Sequence, residues 1–110
     1  MDINIYPKCK ELLRKDTIEA LKIFLASFPV EAGFEKDFIT DELIDSSQKA
    51  IVENNPRHLF DFFDKNGIEI EIYKGWKFNI DMEYDEEYKT RSECEKAAFT
   101  KAFEKLESTL

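Results

Sequence analysis

The chain has 110 residues, with 24 acidic side chains against 16 basic ones and a formal net charge of −8 at pH 7. This length suits a single domain with one core, and an apolar content of 43%, including ten Phe, predicts a packed globule. The acidic balance opposes binding to nucleic-acid phosphates and to anionic membranes, because both need exposed Lys or Arg. We therefore expect no direct nucleic-acid partner and no membrane partner.

The charge deficit lies in the middle of the chain. Residues 34–67 hold eight acids against four bases and residues 68–90 hold seven against three, whereas both flanking segments are balanced. An acidic stretch of this kind suits a basic protein partner, although many such stretches only keep a protein soluble.

The N-terminus and the two cysteines indicate the compartment. Residues 1–4 lack the basic region and the apolar run of a signal peptide, and no apolar stretch approaches membrane-spanning length. A disulfide between Cys9 and Cys94 is sterically conceivable, but two buried or half-buried thiols in a reducing compartment are the better interpretation. We expect a cytoplasmic protein without a cofactor.

Helical patterns fill the first part of the chain. Pro7 can begin a short helix through Lys15, and Asp16 with Glu19 forms a second cap signal, so this stretch is either two helices or one with a kink. Pro29 ends it, because a proline ring disfavours helical geometry at the preceding residue. The apolar residues that recur at helical spacing along it are Cys9, Leu12, Leu13, Ile18, Leu21, Phe24, Leu25 and Phe28.

Two further helices are predicted between residues 40 and 67. One begins after Thr40 with two acids in its first turn, where the helix dipole favours carboxylates, and the next begins after Asn55 with Pro56 at its first position. Asn66 and Gly67 end the latter, because both tolerate a left-handed C-cap. The apolar residues of the two helices are Leu43, Ile44, Ser47, Ala50 and Ile51 (with Ser47 included as a small residue), and Leu59, Phe60, Phe62 and Phe63. The Phe-rich set covers more than one face, so its helix is either sandwiched between elements or part of a dimer interface.

The pattern changes to that of a β-hairpin at residue 68. A two-residue loop at Lys74 and Gly75 would place apolar and polar residues on the same face, which a half-buried sheet does not tolerate. We predict a three-residue loop at residues 73–75, with Gly75 in the left-handed conformation. This register pairs Ile72 with Trp76, Ile70 with Phe78, Ile68 with Ile80 and Glu71 with Lys77. The second strand then frays after Met82, and Tyr88 belongs either to a short third strand or to a turn.

A final amphipathic helix is predicted from about Arg91 to Glu107, opened by the capping-box spacing of Thr90 and Glu93. Its broad apolar arc consists of Cys94, Ala98, Phe99, Ala102, Phe103 and Leu106. We therefore predict a single α+β domain over residues 1–110. Three to four helices occupy residues 1–67, and an antiparallel β-hairpin covered by the C-terminal helix occupies residues 68–110.

The last third of the chain carries a packing motif. Its residues are Trp76-x-Phe78-x-Ile80, then Tyr88-x-Thr90-Arg91-x-Glu93-Cys94-Glu95, then Ala97-Ala98-Phe99-x-Lys101-Ala102-Phe103-Glu104-x-Leu106-Glu107. In this motif the chain resembles the C-terminal module of small uncharacterised proteins from bacterial phages and mobile elements, which implies such an origin and no established activity. The final helix also resembles the closing helix of double-stranded-RNA-binding domains. Those domains place a Lys cluster at the helix start, where this chain has Arg91 among Glu93 and Glu95.

The best candidate for a partner-binding surface is the aromatic tip of the hairpin with its acidic rim. Exposed aromatic residues are common at protein interfaces, although for Trp76 and Tyr84 continuation of the buried face is the more common explanation. The predicted surface consists of Tyr73, Lys74, Trp76, Asp81, Glu83, Asp85, Glu86 and Glu87.

Neither a metal site nor a catalytic set is indicated. The acids of residues 81–87 are similar in spacing to a calcium-binding loop, but Glu86 stands where the sharp turn needs Gly and Ser92 where a bidentate Glu is needed. We interpret them as an acidic turn that protects a sheet edge. His58, near Asp61, is interpreted as a surface or capping histidine, because no nucleophile accompanies it.

Three functional hypotheses follow. The favoured one is a small acidic protein-interaction module with a basic protein partner; in its sharper form, the acids mimic a nucleic-acid backbone and occupy a nucleic-acid-binding protein. The second is a homo-oligomeric structural or regulatory protein that uses the Phe-rich helix or the hairpin edge. An enzyme is the third and has the least support, because no catalytic set is recognisable.

Overall fold

The computed structural model describes residues 2–26, 39–80, 83–84 and 87–110. They form a 3-10 turn (Ile3–Ile5), α1 (Pro7–Ala26), α2 (Asp41–Asn54), α3 (Pro56–Lys65), β1 (Ile70–Tyr73), β2 (Lys77–Ile80), β3 (Glu83–Tyr84) and α4 (Arg91–Thr109). The strands form one antiparallel sheet in the order β1-β2-β3. The predicted α+β fold, with helices first and a hairpin and helix last, is confirmed.

The helix caps lie at the predicted positions. The side chains of Thr40, Asn55 and Thr90 each accept a hydrogen bond of 3.2 Å from the backbone amide three residues later. Gly67, with φ of 80°, follows α3 in the left-handed conformation. The first amides of a helix have no acceptor within the helix, so a polar residue just before it stabilises its start.

The first helix is continuous, which decides between the two alternatives left open by its sequence. α1 runs for 20 residues through the second cap signal, so Asp16 and Glu19 do not begin a helix. The Asp16 carboxylate instead accepts hydrogen bonds from α3. Pro29 lies outside the described residues.

The buried face of α1 follows the prediction only in its first half. Cys9 and Leu13 are fully buried, and Thr17 is buried below them because its hydroxyl donates to the Leu13 carbonyl oxygen (2.7 Å). Among the side chains of α1 that the structure describes, Thr17 is the last buried one, although the helix continues to residue 26. Phe24, which shares the predicted apolar stripe, is therefore 59% exposed, and Phe28 lies outside the described residues.

The hairpin has a three-residue loop, but the predicted register is wrong by two residues. The loop is Lys74–Trp76, and the pairs are Ile70 with Ile80, Glu71 with Asn79, Ile72 with Phe78 and Tyr73 with Lys77. Because side chains alternate between faces with a period of two, a shift by two leaves each one on its predicted face. Gly75 is left-handed as predicted (φ 93°), and Trp76 is left-handed as well (φ 56°), which takes it out of the strand.

The third strand lies earlier than Tyr88. Glu83 and Tyr84 form β3 and pair with Ile80 and Asn79 of β2. The backbone N–H of Tyr88 donates to the carbonyl oxygen of Trp76 (2.9 Å), and the Tyr88 ring stacks on Phe78 with 6.0 Å between centroids. These contacts fix the approach to α4.

The core is organised by α4, whose six predicted apolar residues are all buried. Cys94, Ala98 and Ala102 are small, so the helix can lie close to β2, which it contacts together with β1, α1 and α3. The ring of Phe103 lies among three other rings. These are Tyr6 at 5.7 Å, Phe62 at 6.3 Å and Phe63 at 4.8 Å between centroids.

The Phe-rich helix is sandwiched within the chain. Leu59, Phe62 and Phe63 of α3 are buried, and the half-buried Phe60 ring packs edge-on against Phe99 of α4 (5.0 Å). Of the two predicted explanations for this helix, packing within the chain accounts for all of its apolar residues.

The buried stripe of α2 is rotated by one residue from the prediction. Ile44, Gln48 and Ile51 are buried, whereas Leu43 and Ala50 are exposed. Gln48 can be buried because its Nε2 donates to the carbonyl oxygen of residue 10 in α1 (2.8 Å). An apolar stripe alone does not show that a glutamine belongs to the core.

The start of α1 is capped from the far end of the chain. The carboxylate of Glu107 in α4 accepts hydrogen bonds from the backbone amides of Lys8 (3.0 and 3.2 Å) and Cys9 (2.9 Å). These amides lie at the positive end of the α1 dipole, where a carboxylate is favoured. Desolvation acts to raise the pKa of Glu107, but the two backbone amides outweigh it and hold the pKa below its ordinary value.

Replacement of Phe103 by Ala should remove a large part of the stability of the domain. The change deletes a fully buried ring among three others, and such deletions cost about 3–5 kcal/mol out of a typical total of about 5–15 kcal/mol. Urea unfolding measures the loss. The control Ile23→Ala, at a position 73% exposed, should change stability by less than about 0.5 kcal/mol. Similar losses for the two variants would contradict this assignment of the core.

Replacement of Glu107 by Gln should lower the thermal midpoint at neutral pH, because the neutral amide caps α1 less well. The folded-state pKa of Glu107 is lowered, so its contribution is complete above the ordinary Glu value of about 4.3 and is lost as the pH falls through the folded value. The difference in midpoint from wild type should therefore shrink as the pH falls below about 4. Thermal melts at several pH values test this, with the exposed Glu53→Gln as control; a difference independent of pH would contradict it.

Candidate functional site

The hairpin tip holds the part of the predicted surface that the structure describes in full. Tyr73 is 38% exposed, Lys74 and Glu87 are exposed, and Trp76 is half-buried against the core. Glu83 lies in β3 opposite Ile80. The remaining predicted residues, Asp81, Asp85 and Glu86, lie outside the described residues.

Trp76 contributes mainly to folding and only partly to the surface. It occupies the last loop position in a left-handed conformation that is uncommon for residues other than Gly. Its side chain packs against the hydrophobic core, and its carbonyl oxygen accepts the Tyr88 amide. The interpretation that Trp76 continues the buried face is therefore the better of the two for this residue.

The outer face of the hairpin carries Tyr73 among charged side chains. Glu71 and Tyr73 alternate with the inward Ile70 and Ile72 along β1, and the Tyr73 hydroxyl donates to the Glu71 carboxylate. Lys77 lies opposite Tyr73 in β2, and its ammonium is 3.4 Å from Glu87. We refer to Glu71, Tyr73, Lys74, Lys77 and Glu87 as the hairpin tip surface.

A second polar cluster, which the sequence did not reveal, joins α1 to α3. The two carboxylate oxygens of Asp16 contact His58 Nε2 (2.8 Å) and Lys65 Nζ (3.0 Å). Asp16 and His58 are mostly buried, with 17% and 19% of their side chains exposed. The hydrogen bond to Asp16, followed by the Asp16 charge, raises the pKa of Lys65. His58 is close to Asp61 in the sequence, whereas its bonded partner Asp16 is 42 positions earlier.

The sequence signal for this cluster is the helical spacing of polar residues along α1 and α3. Asp16, Glu19 and Ile23 recur along one face of α1, and Asp61, Asp64 and Lys65 lie along α3 facing them. Together with Ala20 and His58 they line a cleft of about 400 Å³. We call it the α1–α3 cleft.

Neither the α1–α3 cleft nor the two cysteines provide an activated nucleophile among the described residues. The described residues lining the α1–α3 cleft include no Ser, Thr, Cys or Tyr, so the Asp16–His58 pair has no hydroxyl or thiol to activate. Cys9 and Cys94 are both fully buried. Burial, with Glu107 adding to it, raises the pKa of the Cys9 thiol to about 12, so this thiol stays protonated at neutral pH.

The described ranges contain neither a metal-binding cluster nor a membrane-spanning helix. Within residues 2–26, 39–80, 83–84 and 87–110, no group of three or more His, Cys, Asp or Glu side chains is placed to hold a metal ion. Among the helices of the same ranges, none combines the length and apolarity needed to cross a membrane.

Comparison with known proteins identifies no relative. The chain matches no protein-family model, no curated protein and no solved structure. The resemblance of its last third to phage and mobile-element proteins therefore stays a prediction.

Replacement of Gly75 by Ala should destabilise the hairpin through its backbone alone. A Cβ atom at this position would meet no other atom within 4 Å, but φ is +93°, a conformation that costs an L-residue about 1–2 kcal/mol. Urea unfolding should show a loss of this size, whereas Lys74→Ala at the preceding loop position should be nearly neutral. A neutral Gly75→Ala variant would show that the loop is not held in this conformation.

Proposed function

We propose that this chain is a small acidic cytoplasmic protein-interaction module whose hairpin tip surface binds a basic protein partner. The observation that carries the proposal is the position of Tyr73. This aromatic residue is 38% exposed at the end of β1, outside a core that is already filled by other side chains.

The contacts of Tyr73 suit it to recognition. Its hydroxyl is bonded to Glu71, which restricts the ring and reduces the entropy lost on binding. Tyrosine is enriched among the residues that dominate interface energies. A half-exposed ring beside a carboxylate can pack against the aliphatic part of a Lys or Arg side chain while the carboxylate pairs with its charge.

The surrounding charge favours a basic partner. Residues 68–90 contain seven acids against three bases, and Glu71 and Glu87 are exposed near the tip. Such a field steers an oppositely charged partner and repels an acidic one. The resemblance of residues 76–107 to phage and mobile-element modules supports an origin among such small interaction proteins.

The test is to measure which proteins the immobilised chain retains from a bacterial lysate, at low and at high salt. We expect a stoichiometric partner that is lost at high salt and that the double variant Glu71→Gln/Tyr73→Ser retains at least about tenfold less. The control Glu42→Gln/Glu53→Gln has both changes on exposed α2 residues and should retain the partner.

Three outcomes would contradict this proposal. Equal retention by the tip variant and the control would show that the tip is not the contact surface. Binding that is insensitive to salt would remove the electrostatic argument. A micromolar homo-oligomer in sedimentation that the tip variant dissociates would favour the structural or regulatory alternative. If the retained protein binds nucleic acid and DNA competes with the chain for it, the nucleic-acid-mimic form of the proposal is supported.

A further inference from the structure

The α1–α3 cleft carries features that the contacts among the described residues do not explain. Ile23 on its wall is 73% exposed. In the described part of the chain, Glu19, Asp61 and Asp64 form no salt bridge. From these features we infer that the cleft is a docking groove for a basic amphipathic segment of a partner protein. This inference goes beyond the hairpin tip surface and does not depend on it.

The shape and the apolar part of the cleft suit the aliphatic side chains of a partner. Two helix faces form its walls, with Ala20 and Ile23 from α1 as the apolar part, and its volume is about 400 Å³. This size lies within the range of grooves that take up one or a few side chains. An amphipathic helix that binds in a groove inserts apolar residues that are three or four positions apart.

The charge of the cleft selects a basic occupant. Four carboxylates line it against one ammonium, that of Lys65, and this ammonium already contacts Asp16. Among the described residues, the three remaining carboxylates, those of Glu19, Asp61 and Asp64, form no salt bridge, so they can pair with Lys or Arg of an incoming segment. A second copy of this chain, which carries the same net charge of −8, is a poor match on the same ground.

The groove is also held in shape before any partner binds. The Asp16 carboxylate connects His58 and Lys65 of α3 to α1 from a mostly buried position. These contacts restrain the spacing of the two helices at Asp16, which reduces the ordering needed on binding.

A neighbouring depression indicates on which side of the cleft the basic residues of the bound segment would lie. It shares Asp16, Glu19 and Lys65 with the cleft and adds the ammonium groups of Lys15 and Lys22. Basic residues of the partner should therefore lie over Asp61 and Asp64 and not over this lysine side.

The test uses a fluorescent peptide of Leu and Lys, about four helical turns long, with Leu at helical spacing, and a scrambled peptide of the same composition. Fluorescence anisotropy with the full chain gives the affinities. We expect the amphipathic peptide to bind more tightly than the scrambled one. The double variant Asp61→Asn/Asp64→Asn should weaken binding at least about tenfold. The control Glu42→Gln/Glu53→Gln, which removes the same charge elsewhere, should weaken it less than about twofold. Ile23→Ser should weaken binding of the amphipathic peptide only. Circular dichroism and thermal melts establish that each variant is folded.

Several results would overturn the inference. Equal weakening by the two charge-removing double variants would show only long-range attraction between opposite charges. Equal affinity for the ordered and scrambled peptides, or no binding, would exclude the groove as an amphipathic site. Dissociation of a dimer by Ile23→Ser would assign the groove to a second copy of the chain. Weakening by the tip variant Glu71→Gln/Tyr73→Ser, with no effect of Asp61→Asn/Asp64→Asn, would place the peptide at the hairpin tip surface instead, so failure at one surface is distinguishable from failure at the other.

Discussion

Burial of the apolar arc of α4 is the interaction through which the other elements meet. The sheet, α3 and the start of α1 each contact this helix. Cys94, Ala98 and Ala102, which follow each other one turn apart along it, have small side chains that do not hold the backbone away from its neighbours. Phe103 then joins rings from α1 and α3. Strands of four residues do not form a stable sheet unaided, so the hairpin depends on this helix for its second layer.

The predictable parts of the fold are those whose physical cause lies within a few residues. Thr40, Asn55 and Thr90 cap helices through bonds that span three positions, and Gly67 and Gly75 take the left-handed conformation for local steric reasons. The buried arc of α4 is equally predictable, because six apolar residues on one side of a long helix determine which side is buried.

The errors arise where two arrangements satisfy the same local rule. A hairpin register shifted by two residues keeps the same side chains inward, and only the left-handed Trp76 distinguishes the two. Asp16 followed by Glu19 has the spacing of a helix cap, but the carboxylate is used across the fold by His58 and Lys65. Gln48 is buried by a contact with α1 that no stripe of apolar residues indicates. The hairpin tip surface was visible in the sequence because it follows from alternation, whereas the α1–α3 cleft requires two separate helices to be placed side by side.

The bond between Glu107 and the start of α1 also bears on how the polypeptide folds during synthesis. Lys8 and Glu107 are 99 positions apart, so α1 lacks this cap until α4 has been translated. Contacts of such long sequence separation form late and slow folding. The nascent helix spends that interval with apolar residues in water, a state in which aggregation competes with folding. Formation of the native contacts of α1 is thus tied to translation of α4 rather than to the order in which the helices emerge.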